Sequence, residues 1–179
     1  MKKRLILIGE SGVGKSSILA AWANRDFLEE RQSTIGVDFI SRHNTNIFDS
    51  AGQLRFRPIV NAYLKKVDGI ILVYSVDDAD SFYKLTDWID EKNKNLIIVG
   101  NKTDKVLTRE ITYTEAKSFA NKYGLLYLET SAKDDSGIDE VFILAKTLIC
   151  KSPEEPEQYL ETIEEPEKKC FLFNLLWCK

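Results

Sequence analysis

The first 149 residues of this 179-residue chain hold no cysteine; Cys150, Cys170 and Cys178 all fall in the last thirty. A core without cysteine is not a disulfide-stapled secreted domain, and a reducing, cytoplasmic compartment is expected. Glycine is absent from the same last thirty residues, which instead carry three of the four prolines. No apolar run approaches the ~18 residues that a membrane-spanning helix needs. The start, Met1-Lys2-Lys3-Arg4 before Leu5-Ile6-Leu7-Ile8, opens like a signal peptide. It meets Gly9 after four apolar residues, short of the ~7–15 of an h-region. The net charge is only −3, which argues against a general nucleic-acid binder. The first 150 residues balance at 21 acidic and 21 basic, so the whole deficit lies in a Glu- and Pro-rich tail.

What is present is alternation. Residues 4–8 form an apolar run without polar interruption, as a strand buried on both faces requires. Gly69–Tyr74, Asn95–Val99 and Leu125–Glu129 read the same way. Between them Lys15–Asn24, Ser81–Lys92, Thr114–Tyr123 and Ile138–Cys150 carry helical spacing. Thr112 and Thr114 offer N-caps to the third helix and Gly124 a C-terminal stop. The pattern predicts an α/β fold, mainly a parallel sheet with helices on both faces. Ligands then bind outside the carboxyl ends of the strands.

Gly9-Glu10-Ser11-Gly12-Val13-Gly14-Lys15-Ser16 matches G-x-x-x-x-G-K-[ST] between a strand and a helix. Gly9, Gly12 and Gly14 let the backbone turn its N–H groups onto phosphate oxygens, and the helix dipole favours the same anion. Lys15 reaches the β and γ phosphates and the Ser16 hydroxyl is a ligand for Mg²⁺. A glycine-rich turn with a solvated lysine would also satisfy the spacing, but not the strand-to-helix placement. The loop says nucleotide without saying which.

Asn101-Lys102-Thr103-Asp104, directly after a buried strand, resembles the N-K-x-D guanine motif of small GTPases. A carboxylate accepts two hydrogen bonds in a fork, and guanine offers N1–H and its 2-amino group side by side, whereas adenine does not. Asp104 would therefore select guanine. The resemblance further implies that Asn101 ties this loop to the phosphate loop, and that the Lys102 stem lies along the base. Ser131-Ala132-Lys133 resembles the second base loop, with the Ala132 N–H on the guanine O6. Asp49-Ser50-Ala51-Gly52-Gln53 is similar to the family's D-T-A-G-Q. Asp49 would hold Mg²⁺ through water, Gly52 would donate to the γ phosphate, and Gln53 would orient the attacking water. Thr34, in Ser33-Thr34-Ile35-Gly36, would close on Mg²⁺ and the γ phosphate, and Phe27 would pack against the base. With Ser11, Val13 and Ser17 from the phosphate loop, these complete the implied nucleotide contacts.

The stretches Ser33–Phe39, Gly52–Arg57 and Asp68–Tyr74 resemble the Rab branch of the Ras-like small GTPases, over roughly residues 4–150. That implies a G domain at 1–150 that binds GTP with Mg²⁺, hydrolyses it slowly and switches between GTP and GDP forms. Its role would be in vesicle trafficking, with effectors, an exchange factor and an activating protein as partners. A nucleotide kinase or ATPase would share the phosphate loop but give no reason for Asn101–Asp104. A pseudo-GTPase that binds without turnover is the other alternative, prompted by departures from the family. Only ten residues separate Asp38 from Asp49, about eight fewer than usual. Phe39–Ser41 and Thr45–Phe48 are therefore expected to form a stub at the sheet edge around Arg42-His43-Asn44. His43, the only histidine, is expected to be an exposed turn residue without a metal or catalytic role. Phe48 stands in place of the usual tryptophan, and Leu54 in place of a glutamate that contacts regulators.

Residues 151–179 are expected to be an acidic Glu/Pro linker followed by an apolar tail. Rabs normally end in two prenylated cysteines; this chain ends Leu176-Trp177-Cys178-Lys179. The Phe171, Leu172, Phe173, Leu175, Leu176 and Trp177 cluster is expected to support a lipidated Cys170 or Cys178 in peripheral contact with the cytoplasmic face of a membrane. One lipid chain alone anchors marginally. Packing of this segment on the core is the alternative.

Overall fold

The computed structural model describes residues 2–23, 34, 36–42, 44–89 and 95–150. The chain divides into two units, Met1–Ile149 and Cys150–Lys179, and the sheet belongs to the first. Six strands form it: β1 (Lys3–Ile8), β2 (Val37–Arg42), β3 (Thr45–Ser50), β4 (Gly69–Ser75), β5 (Leu96–Asn101) and β6 (Leu126–Glu129). Their order is β2-β3-β1-β4-β5-β6. All pairings are parallel except β2 with β3. The helices are α1 (Lys15–Trp22), α2 (Arg57–Leu64), α3 (Ala79–Tyr83), α4 (Tyr113–Lys122) and α5 (Ile138–Cys150). None is long and apolar enough to cross a membrane among the described residues.

The unbroken apolar runs have a direct cause. Successive strand residues point to opposite faces, and both faces are covered. Leu5, Leu7, Ile71, Val73, Ile97 and Val99 pack with Ile18 and Trp22 of α1 and Val141, Phe142 and Ala145 of α5. Ile6, Ile8, Ile70, Leu72 and Ile98 pack with Val60 of α2, Phe82 of α3 and Ala116 and Ala120 of α4. The middle positions of β1, β4 and β5 face no water and are apolar; in β4 and β5 polar residues enter only toward the carboxyl ends, at Tyr74, Ser75 and Asn101. Each fully buried Leu or Ile contributes ~1.5–3 kcal/mol.

Three elements differ from the expectation. The hairpin is no stub: six residue pairs run from Val37↔Ser50 to Arg42↔Thr45. Only His43 and Asn44 lie between the strands, and Asn44 takes φ 57°, which asparagine tolerates in tight turns. The short connection truncates the turn rather than the ladder, and the Ala51 N–H continues it by donating to the Gly36 carbonyl at 2.8 Å. As expected, the pair sits at one end of the sheet. The helix expected over Ser81–Lys92 is a five-residue α-helix followed by a 3-10 turn, Lys84–Asp87. Phe82, Leu85 and Trp88 are all buried and three apart, a spacing that suits three residues per turn better than 3.6. Finally, α2 is absent from the expected helices: it spans only eight residues, begins with a proline in its first turn and buries a single residue, Val60.

The strand order reverses at β1: the chain runs out to the edge strand β2, comes back through β3 beside β1 and then crosses to β4 on the other side. Such a reversal opens a crevice at the carboxyl edge, and the loop Gly9–Gly14 leaves β1 there.

Candidate functional site

The loop between β1 and α1 buries its lysine. Lys15 is 5% exposed, and its ammonium donates to the carbonyls of Gly9 (3.0 Å) and Glu10 (2.7 Å). Burial lowers its pKa to about 8, against the opposing pull of Asp49 and Glu10. At neutral pH that displacement costs on the order of 3 kcal/mol, which an anion seated in the loop would offset. Gly14 begins α1 at φ 94° with no side-chain cap. A Cβ there would also strike the Asn101 amide. The tip, Ser11 and Gly12, is exposed, while Val13 is buried beneath it and Ser16 and Ser17 lie half-buried.

Beside the lysine, three oxygens converge. The Ser16 hydroxyl donates to Asp49 Oδ2 at 2.5 Å, Thr34 Oγ1 lies 3.0 Å from Ser16 Oγ, and it also reaches Asp49 Oδ2 at 3.3 Å. Asp49 Oδ1 is buried without a hydrogen-bond partner. Burial raises the Asp49 pKa, a shift only partly countered by Ser16, Lys15 and Thr34. A desolvated carboxylate with an orphaned oxygen, next to two hydroxyls, is a hard-oxygen donor set that fits Mg²⁺. That ion prefers one or two protein ligands and keeps positions for water and phosphate oxygens. Among the described residues, no group of three His, Cys, Asp or Glu side chains converges into a closed cage.

The loops after β5 and β6 meet over Asn101. Its amide donates to the Val13 carbonyl at 2.9 Å, and its oxygen accepts from Thr130 Oγ1 (3.1 Å) and the Ala132 N–H (3.4 Å). Asp104 accepts from Ser131 Oγ at 2.7 Å, which also accepts from the Asp134 N–H at 3.1 Å. This leaves Asp104 Oδ2 available to a ligand. Lys102 takes φ 69°, and the Thr103 N–H reaches the Thr130 carbonyl at 3.2 Å. Lys133 is exposed. Phe27, His43, Cys170, Cys178 and the tail 151–179 lie outside the described residues, as do Ser33 and Ile35.

Gly52 is pressed against the phosphate loop: a Cβ would collide with the Glu10 carbonyl and come within 2.5 Å of the Ser11 nitrogen. Gln53, half-buried, accepts from the Phe56 N–H at 2.9 Å through its carbonyl. Motif reading gives no role to the groups that hold this segment. Arg57 Nη2 lies 3.7 Å from Glu10 Oε1 and 3.2 Å from Asp87 Oδ2, over the Trp88 ring at 4.7 Å, and Lys84 approaches Glu10 Oε2 at 3.7 Å. Glu10 occupies a position where the motif accepts any residue, so nothing in the spacing marks it. A second network missed by motif reading runs behind the base loops. Tyr74 and Tyr127 hydroxyls are 2.8 Å apart, Tyr127 donates to Glu129 at 2.8 Å, and Arg109 grips both Glu129 oxygens at 2.7 and 2.9 Å.

The Ras family model matches residues 4–151. Over 154 residues the chain is 43% identical to the Ras-related protein Rab-1D of Dictyostelium discoideum, covering 78% of this chain and 76% of that protein. With the same coverage it is 41% identical to the Ras-related protein RABD2a of Arabidopsis thaliana and to the GTP-binding protein ypt1 of Schizosaccharomyces pombe.

The buried lysine makes a stability prediction. Its folded-state pKa lies below the unfolded value, so its charge opposes folding below about pH 8, and the penalty fades as pH rises toward 10.5. Lys15→Met should stabilise the ligand-free protein by about 1–2 kcal/mol at pH 7, and the gain should vanish above the unfolded pKa. Urea unfolding across that pH range reads it. A variant less stable than wild type at pH 7 would show that the two carbonyls already compensate the charge.

Proposed function

The chain belongs to the Ras family, on its Rab branch, and on that premise we propose how it works as a GTP-binding and GTP-hydrolysing switch. The observation that carries the reading is the convergence of three pieces at one sheet edge. They are a buried lysine in a phosphate loop, a hydroxyl–carboxylate oxygen cluster beside it, and a free carboxylate oxygen on Asp104, with Asn101 tying the phosphate loop to the loop after β6. The G domain takes residues 1–150.

GTP binds with its phosphates on the backbone N–H groups of Gly9–Ser16 and on Lys15, whose burial penalty they offset. Ser16, Thr34 and Asp49 would hold Mg²⁺, Asp49 through water, and the ion would supply charge neutralisation at the phosphates. Asp104, steadied by Ser131, accepts from guanine N1–H and the 2-amino group. The Ala132 N–H faces O6. Gly52 presents its N–H to the γ phosphate, and Gln53 orients the attacking water. The chemistry is positioning and charge stabilisation, without covalent help from the protein. Because Thr34 and Gly52 engage the γ phosphate, its loss releases the segments around them, which is how hydrolysis is read by partners.

Rab-type GTPases act with effectors, exchange factors and activating proteins. In this chain the aromatic run Phe39–Phe48–Tyr63, with centroids 6.0 and 5.3 Å apart and Phe39 59% exposed, lies on the hairpin and α2, where such partners bind. The role is regulation of vesicle trafficking. The comparisons lend no support to a binding module without turnover.

Gln53→Leu tests the catalytic assignment. GTP affinity should stay within about twofold, while single-turnover hydrolysis slows by roughly tenfold or more, since the glutamine acts on the transition state rather than on bound substrate. Hydrolysis at the wild-type rate would remove Gln53 from the reaction. For the tail, the acidic Glu/Pro stretch within 151–179 serves as a spacer, and the apolar cluster beside a lipidated Cys170 or Cys178 supplies the second membrane signal. Full-length protein from a lipidating host should float with neutral vesicles, and a chain ending at Lys169 should not. Equal flotation, or lost thermal stability in the shorter chain, would favour a segment packed on the core.

A further inference from the structure

The turn that carries Lys102 and Asp104 is held from a side that its own motif does not include. Strand β4 pairs with β5 up to Ser75↔Asn101, and the Val76 N–H donates to the Asn101 carbonyl at 2.9 Å. The next residue, Asp77, turns its carboxylate under the turn. Its side chain is 12% exposed, with Lys105 Nζ 2.5 Å from Oδ2 and Lys102 Nζ 4.0 Å from Oδ1. Ser75 Oγ donates to Oδ1. The two lysines bracket the turn, whose ends are joined by the Lys105 N–H donating to the Lys102 carbonyl at 3.0 Å. One carboxylate thus faces both ends.

Lys102 also needs holding. It adopts a left-handed backbone at φ 69°, which is strained for a residue with a Cβ. Asp104 is fixed separately, from the opposite side, by Ser131. Burial acts to raise the Asp77 pKa, but hydrogen bonds from Lys105 and Ser75 and the charge of Lys102 outweigh it and hold the group below its ordinary value. It is an anion throughout the neutral range.

We propose that Asp77 is a positioning residue for nucleotide retention: its carboxylate anchors the Lys102 ammonium, so that the methylene stem is presented as a fixed apolar rail to the face of the base. This rests on the guanine-nucleotide reading above. Asp77 acts on how long the nucleotide stays, and Asp104 on which base is chosen. The two functions are separable because the two carboxylates are held by different partners.

The experiment uses the full chain loaded with a fluorescent GDP analogue. Dissociation rates are measured for wild type, Asp77→Asn, Lys102→Met and the double variant, together with the GDP-to-XDP affinity ratio. Asp77→Asn keeps the side chain's shape while removing its charge from both lysines, and Lys102→Met keeps the stem while removing the ammonium. D77N should speed dissociation about 5- to 20-fold, or about 1–2 kcal/mol. The double variant should dissociate no faster than K102M, because the one lysine pair Asp77 then keeps, to Lys105, does not bear on the Lys102 stem. The guanine preference of D77N should equal that of wild type, and Asp77→Glu, which keeps the charge, should recover most of the slow dissociation. Three results would overturn the proposal: wild-type dissociation in D77N, effects that multiply in the double variant, or an eroded guanine preference, which marks general collapse of the turn. Failure of the wild type to retain any guanine nucleotide would overturn the functional reading, and this inference with it.

Discussion

Asn101 is 1% exposed and stands where three loops that are far apart in sequence have to agree. A primary amide has two donors and two acceptor positions, and here its N–H reaches Val13 while its oxygen serves Thr130 and Ala132. The phosphate loop, the loop after β5 and the loop after β6 are therefore one object. A buried amide left half-satisfied costs ~1–3 kcal/mol, so displacing any one loop is penalised through the other two. Gly14 belongs to the same constraint, since a side chain there would displace the Asn101 amide. The spacing between a phosphate site and a base site is set by this contact more than by any strand.

Much of this is legible in the sequence, for reasons tied to particular residues. Strands β1, β4 and β5 are visible because burial on both faces leaves only apolar residues admissible. Thr112 marks a helix start because its hydroxyl accepts from the Glu115 N–H. Gly9–Ser16 and Asn101–Asp104 are short and contiguous because backbone turns and forked carboxylates demand fixed residue types in fixed order. What stays hidden acts across the sequence. Asp77 reaches Lys102 and Lys105, Glu10 reaches Arg57 and Lys84, and Arg109 reaches Glu129. Each is a charge in a loop, which a linear reading assigns to solvent. The hairpin exceeds its expected length for a related reason. Counting residues between Asp38 and Asp49 reserves several for a turn, yet Asn44 turns the chain in almost no space.

The other half of the site is built on approach rather than on polarity. Gly52 lies against the Glu10–Ser11 backbone, so the segment bearing Gln53 is in van der Waals contact with the loop that would hold the phosphates. Glu10 continues this contact to Arg57 at the start of α2 and to Lys84 beyond α3. Glu10 Oε1 and Arg57 Nε are both buried without a hydrogen bond, leaving unused bonding capacity at the joint between the Gly9–Ser16 loop and the segment bearing Gln53. Interfaces with two discrete arrangements convert small displacements into switching. The tightly turned hairpin of β2 and β3 lies at the outer edge of the sheet, away from this joint.

The central claim is that the anchored base loops, through Asp104, choose guanine. Competitive binding of GDP and XDP to Asp104→Asn tests it most directly. The substitution turns a double acceptor into an acceptor and a donor, and the donor faces guanine's own amino group. GDP affinity should fall by ~2–4 kcal/mol, and XDP, with a carbonyl at that position, should become the preferred ligand. Undiminished preference for GDP in the variant would remove Asp104 from the base site and contradict the account.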